Sequence, residues 1–311
     1  MAVSLPDSFA ELLRSKFEDA KKSGTLVFTD SVAEDVEVKN VSFQIRLAEG
    51  LSKKPAPSEE KSEDKTPKPK FNPFLNPDPD LLLCDLGPDY RLVLNKFSIV
   101  PYHFLCITKD FRPQSSPLSE EDLEATWACL QADSVEDGKK LMAFYNCGEV
   151  SGASQSHKHV QFIPIPEKSK LIPDVALTYG NSKSQDAIGE FPTFNPEIPF
   201  AHFVLPIPPS ATAEDLVMRF SSLLARTLTA LHEHGQKGIA FNFAMTKEWM
   251  FMAPRTKAFY EDVSVNATGM VGMLMAKSTE QLEFIKSTGP LEVLLGVSVP
   301  LKLEDEKHHH Y

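Results

Sequence analysis

Strand-like runs follow one another along this chain with few helices between them, and that ordering constrains the fold more than any other feature. Runs at 81–85 (LLLCD), 91–95 (RLVLN) and 97–108 (FSIVPYHFLCIT) are neighbours in sequence, and Pro101 marks a bend or an edge within the last. A run at 141–147 (LMAFYNC) precedes one at 157–163, and 202–207 (HFVLPI) opens a second structured block. Residues 239–245 and 249–253 read as a hairpin around Thr246-Lys247-Glu248. Helices interspersed irregularly among sequence-adjacent strands predict an α+β fold with a mainly antiparallel sheet, not a wound parallel one. With 311 residues, 42% of them hydrophobic, the chain can bury a large core in about two domains or one large one.

The helices announce themselves by face and cap. Residues 8–22 place Phe9, Leu12, Leu13 and Phe17 on one side, with Gly24 as a stop. Ser119 and Asp122 form a capping box for a helix reaching about residue 133, with Leu123, Trp127 and Leu130 inward. Thr212 and Asp215 do the same for 213–234, whose stripe is Leu216, Phe220, Leu223, Leu224, Leu228 and Leu231, closed by Gly235. A last helix is expected at 277–288. Residues 36–48 look extended, with Val36, Val38, Val41, Phe43, Ile45 and Leu47 mostly alternating. Residues 52–70, SKKPAPSEEKSEDKTPKPK, cannot bury enough apolar surface to offset their ordering entropy, which predicts a mobile surface loop. The proline-bearing stretch 166–200 reads as a long connection or flap. The chain thus divides into an N-terminal part, 1–170, and a C-terminal part, 190–305.

Charge narrows the function. With 43 acidic against 32 basic residues the net charge is −11, which argues against a nucleic-acid groove but not against a small phosphorylated ligand. Cys84, Cys106, Cys129 and Cys147 form no C-x-x-C pair, so no zinc site is expected and a reducing compartment fits. MAVSLPDSF lacks a basic flank and an apolar core, so no signal peptide is expected, and no apolar run reaches the roughly 20 residues of a membrane span. These features predict a cytoplasmic protein, with a nuclear pool compatible, that engages no membrane.

The chemistry concentrates in Ser151-Gly152-Ala153-Ser154-Gln155-Ser156-His157-Lys158-His159-Val160-Gln161-Phe162. On a strand, His157, His159 and Gln161 share one face at ~7 Å intervals, while Lys158, Val160 and Phe162 face the other way. A neutral imidazole nitrogen can attack phosphorus and form a labile phosphoramidate, which splits one displacement into two. Gln161 can donate to a phosphate oxygen without titrating. Gly152, Ala153 and Ser154 let main-chain N–H groups approach phosphate oxygens, and Ser154 and Gln155 add side-chain donors. An H-x-H pair alone is more often structural or half a metal site; here the third place is Gln161, a poor metal ligand. Asn95 and Lys96 close a strand and could reach a nucleotide, Asn146 ends the strand before the loop, and Lys247 beside Thr246 could neutralise phosphate. His103 and His202 read as packing residues, and His232 and His234 as cations suited to a helix C-terminus.

The string SGASQSHKHVQFIPIP resembles the catalytic segment of the fungal diadenosine tetraphosphate phosphorylases (ATP adenylyltransferases) of the histidine-triad superfamily, on the branch with galactose-1-phosphate uridylyltransferase. The segments at 71–114, 199–208 (PFAHFVLPIP) and 241–255 (FNFAMTKEWMFMAPR) are similar to that family in the expected order. The resemblance implies a histidine-triad-like fold and makes His159 the adenylylated nucleophile, His157 its support and Gln161 a ligand of the transferred phosphate. It assigns substrate binding to Asn95, Lys96, Asn146, Gly152, Ala153, Ser154, Gln155, Asn242, Thr246 and Lys247, and to a lysine near the first strands that either Lys53 or Lys54 fits. The C-terminal part would complete the nucleotide site. The implied reaction passes AMP from diadenosine tetraphosphate to His159, expelling ATP, and then to inorganic phosphate, giving ADP. It implies no tightly bound cofactor, a divalent cation such as Mg2+ travelling with the polyphosphate, and a monomer or weak homo-oligomer.

Three other functions share parts of this pattern. A hexose-1-phosphate uridylyltransferase would share the histidine but show sugar dependence and often bound zinc, against which the cysteine spacing speaks. A histidine-triad hydrolase is disfavoured by Gln161, since a neutral amide cannot act as a base toward water. A nucleotide-binding sensor that has lost catalysis is disfavoured by the intact His159 and Gln161.

Overall fold

The computed structural model describes residues 4–50, 72–183 and 191–302. The charged segment expected as a mobile loop, with Lys53 and Lys54, lies outside the described residues, as do the terminal histidines.

In chain order the elements are α1 (Phe9–Ser23), β1 (Val27–Phe28), β2 (Val32–Val38), β3 (Val41–Leu47), β4 (Leu82–Leu86), β5 (Tyr90–Leu94), β6 (Phe97–Ser98) and β7 (Phe104–Thr108). Next come α2 (Glu120–Leu130), β8 (Lys139–Cys147), a 3-10 turn at Glu149–Ser151, β9 (His159–Pro166), α3 (Ile172–Lys183), β10 (Phe203–Pro206) and α4 (Ala213–Glu233). The chain continues through β11 (Phe241–Met245), β12 (Trp249–Pro254), β13 (Phe259–Tyr260), β14 (Val263–Ser264), α5 (Ala267–Met270), β15 (Met273–Ala276), α6 (Thr279–Thr288) and α7 (Pro290–Leu295).

An 8-stranded sheet ordered β10-β12-β11-β8-β9-β7-β5-β4 organises the molecule, and its pairings are antiparallel. The β11–β8 pairing stitches the C-terminal strands to the N-terminal ones, so both parts contribute to one sheet. The α+β expectation holds. One face carries Leu92, Phe104, Tyr145, Phe162 and Phe243 against α1, α2 and α4. The opposite face carries Phe144, Ile163, Ile165 and Phe251 against β3 and α3, α5, α6 and α7, with a smaller cluster of Phe74, Val93, Leu105 and Ile107 at its other side. Both capping boxes form, at Ser119/Asp122 and Thr212/Asp215, and Gly24 closes α1 in a left-handed conformation at φ 80°.

Four expectations need correction. The single extended run 36–48 is two strands, β2 and β3, turned at Lys39 and Asn40, which both take positive φ as a tight hairpin requires. The run 97–108 breaks after β6 and resumes at β7, and Pro101 lies in the break. The stretch 166–200 contains α3. Pro173 sits in its first turn, where a missing N–H is tolerated; Asp174 accepts from the Leu171 N–H at 2.9 Å and from Trp249 Nε1 at 3.0 Å, pinning that turn to the sheet. Finally, α6 is followed by α7, because Pro290 starts a new helix one residue after Gly289.

Candidate active site

Strand β9 begins at His159, and alternation sends Val160 and Phe162 into the helix-covered core while His159 and Gln161 face the other side. His159 stands opposite Ile107; Gln161 stands opposite Leu105 on one neighbour and Phe144 on the other. The polar row therefore lies between the two apolar clusters of that face. His157 precedes the strand in an isolated bridge with Pro113, and the Phe74 ring lies 5.8 Å from its ring and 5.1 Å from that of His159.

The protons on His159 follow from its partners. Its Nδ1 lies 2.8 Å from the His157 carbonyl, which can only accept, so Nδ1 carries the hydrogen and Nε2 the lone pair. Nε2 makes no hydrogen bond among the described residues. The residue is 4% exposed, and burial pulls its pKa down to about 4, so the ring is neutral near pH 7.

His157 is consumed by its own fixation. Nε2 donates to the Thr108 carbonyl at 2.8 Å, and Nδ1 accepts from Asn72 Nδ2 at 2.9 Å. Burial lowers its pKa as well. It orients His159 through its carbonyl.

Gln161 is oriented by a chain that the sequence reading missed. Asn95 Nδ2 lies 2.9 Å from His103 Nδ1, and His103 Nε2 lies 3.1 Å from Gln161 Oε1. The amide of Asn95 donates to Nδ1, so Nε2 carries the hydrogen and donates to Oε1. That fixes Gln161 with its two N–H donors turned away from His103. His103, expected as a packing residue, instead belongs to the site. His202 is the packing residue foreseen: fully buried, it accepts from the Asn195 N–H and donates to the Phe200 carbonyl.

Asn146 and Asn242 are cross-strand partners on the same face. Asn146 Oδ1 accepts from Asn242 Nδ2 at 2.8 Å and from the Ala267 N–H at 2.9 Å, and its Nδ2 makes no hydrogen bond among the described residues. Asn242 also donates to the Ser151 carbonyl, and Arg255, 1% exposed and pulled down to about 9 by burial, donates to Asn242 Oδ1. Asn242 is thus a brace behind Asn146. Gly152 has φ 91°, and a Cβ there would stand 2.9 Å from the Val265 carbonyl oxygen, so only glycine fits. The N–H groups of Ser154 and Gln155 make no hydrogen bond among the described residues, and Ala153 donates to the Gly148 carbonyl only at 3.4 Å.

The remaining expectations fare differently. Lys96 is exposed, and its carbonyl accepts from Val27. Thr246 and Lys247 are carried away from the histidines: Met245 is level with Ala143 and Phe162, so the turn lies two strands across from β9 and beyond Gln161. Thr246 is buried against Glu248, which also pairs with Lys140, while Lys247 is exposed. The register of the sheet, invisible in the sequence, makes that separation. Lys158 faces the opposite side as expected and is buried, donating to Asp122 Oδ2 at 2.8 Å and to the Pro117 carbonyl. Among the described residues no cluster of three or more His, Cys, Asp or Glu side chains could hold a metal ion.

Comparison with known proteins matches this arrangement to one family. Residues 2–177 match the Ap4A phosphorylase N-terminal domain, and residues 196–300 match the ATP adenylyltransferase C-terminal domain. The chain is 34% identical over 302 residues to diadenosine 5',5'''-P1,P4-tetraphosphate phosphorylase 2 of Saccharomyces cerevisiae, covering 90% of each protein. It is 32% identical over 315 residues to Protein APA1 of the same yeast, covering 96% of each. The crystal structure of yeast Ap4A phosphorylase Apa2 in complex with Ap4A superposes with a TM-score of 0.80 at 30% identity, over 95% of this chain and 99% of that one. The complex of Apa2 with AMP gives 0.81 over 95% and 98%. With both domains matched in order across one continuous sheet, the chain belongs to the Ap4A phosphorylase family.

Proposed function

We propose that this chain cleaves diadenosine tetraphosphate with inorganic phosphate, giving ATP and ADP through an AMP group held on Nε2 of His159. The observation that carries this reading is the hydrogen bond from His159 Nδ1 to the His157 carbonyl, which leaves Nε2 as the basic nitrogen. The lone pair of Nε2 attacks an α-phosphorus and the bond to the ATP moiety breaks. The imidazole keeps its Nδ1 hydrogen, so the phosphoramidate is an imidazolium, and its positive charge strengthens the bond to the carbonyl. Phosphate oxygen then attacks the same phosphorus and the N–P bond breaks, returning the neutral ring and releasing ADP.

Gln161, oriented by Asn95 and His103, supplies neutral N–H donors for the non-bridging oxygens, and the main-chain N–H groups of Ser154 and Gln155 supply more. Asn146 offers its Nδ2 from the neighbouring strand. These donors compensate developing charge without providing a base for water, which favours an anionic acceptor. A divalent cation such as Mg2+ would travel with the polyphosphate as part of the substrate. The test is product stoichiometry: with phosphate present, one ATP and one ADP should form for each dinucleotide consumed. AMP plus ATP formed at equal speed with and without phosphate would replace this reading with hydrolysis.

A further inference from the structure

Gln114 is 3% exposed and lies between β7 and α2, yet it touches both strands that carry the proposed site. The β8–β9 ladder ends at the Phe144–Gln161 pair, and continuing the register would set Asn146 opposite His159. There the side chain of Gln114 takes the place of the ladder. Its Oε1 accepts from the His159 N–H at 2.8 Å; its Nε2 donates to the His159 carbonyl at 3.2 Å and to the Asn146 carbonyl at 3.0 Å. Its main chain closes the loop between the strands. The Gln114 N–H donates to the Ser156 carbonyl at 2.8 Å, and its carbonyl accepts from the Gly148 N–H at 3.2 Å and the Tyr145 hydroxyl at 2.8 Å.

We propose that Gln114 is a positioning residue that sets the distance between the His159 ring and the loop donors at Ser154 and Gln155. The inference rests on the adenylyl-histidine reading above. One carboxamide holds both backbone polar groups of the nucleophile, and the same residue holds both ends of the loop. Without the amide the two strands change their separation at the residue whose ring must meet phosphorus, and a displacement of about 1 Å there costs on the order of 100-fold in rate. Gln114 does not touch substrate in this scheme, so its loss acts on the chemical step and spares nucleotide affinity.

Two variants test it. Gln114→Met keeps length without polar atoms; Gln114→Glu keeps the acceptor but loses both donated bonds while ionised. With diadenosine tetraphosphate and no phosphate, single-turnover attachment of AMP should slow at least about tenfold in both, with the dissociation constant for AMP held within about threefold. Protonating the buried carboxyl of the Glu variant restores one donated bond, so its rate relative to wild type should rise as the pH is lowered from about 8 to about 6. The Met ratio should stay flat. Attachment within about twofold of wild type in both variants, or a loss confined to AMP affinity, overturns the inference. A fold-independent check uses the unaltered protein: the His159 amide should exchange its hydrogen as slowly as the amides inside β9, and exchange at an open-loop rate overturns it. A wild-type chain that acquires no AMP sinks the functional reading itself; a chain that acquires it equally fast without the Gln114 amide sinks only this inference.

Discussion

Acid should leave the first half-reaction nearly untouched long after an ordinary imidazole would have failed. Burial holds the His159 pKa at about 4, against an ordinary value of 6.5. At pH 5.5 a ring titrating at 6.5 would be roughly 9% neutral, whereas one titrating at 4 would be roughly 97% neutral, a difference of about tenfold in nucleophile. The perturbation is therefore a change from pH 7.5 to pH 5.5, and the assay is single-turnover attachment of AMP from diadenosine tetraphosphate without phosphate. Omitting phosphate removes the titration of the acceptor from the profile. An alkaline quench preserves the acid-labile N–P bond before intact-mass measurement. The rate should fall by less than about twofold across this range and by about tenfold per pH unit only below about pH 4. A midpoint near pH 6.5 would refute the reasoning, because it would mean that the ring is solvated and that the apolar surroundings of Phe74 and Ile107 do not set its charge.

Three further outcomes follow from the geometry. Lys158→Met leaves Asp122 buried without its ammonium partner, although the Arg112 guanidinium at 3.8 Å, the Tyr90 hydroxyl and the Ser119 N–H still face it, so chemical denaturation should show a loss of about 3 kcal/mol, the low end for a broken buried pair. Gly152→Ala forces a Cβ against the Val265 carbonyl at positive φ, which should cost about 1–3 kcal/mol and depress AMP attachment; full stability and activity would show that the loop is not packed as described. His159 and His202 both have folded pKa values of about 4, below the ordinary 6.5, so the unfolded chain takes up protons first as pH falls. Stability is complete above about pH 6.5 and lost from there through about pH 4, on the order of 3 kcal/mol for each ring. Denaturant midpoints across that window should flatten in His202→Asn.

The shared face of His159 and Gln161 was legible because a strand's two-residue period is written directly into side-chain order, whereas the expected strand start at His157 falls in an isolated bridge just before β9. Both long capped helices were legible for the same reason: caps and apolar stripes are local. What stayed hidden is what tertiary register decides. Lys247 beside Thr246 was expected to neutralise phosphate, but how far their turn stands from the histidines is set by the β11–β8 pairing, which the sequence does not show. His103 looked like packing because its partners come from separate segments, Asn95 just after β5 and Gln161 within β9, which only the folded sheet brings together. Gln114 carries no motif of its own; only the parting of β8 and β9 gives its amide three partners. The helix α3 was masked by prolines, one of which stands in the turn where proline does no harm.

The central claim is that one ring nitrogen holds AMP between donor and acceptor. Incubation with diadenosine tetraphosphate in the absence of phosphate, followed by peptide mapping, should place a single AMP on His159, with the adduct discharged as ADP when phosphate is added and absent from His159→Asn. Turnover in the His159→Asn chain at the wild-type rate, or an adduct mapped to another residue, would contradict it.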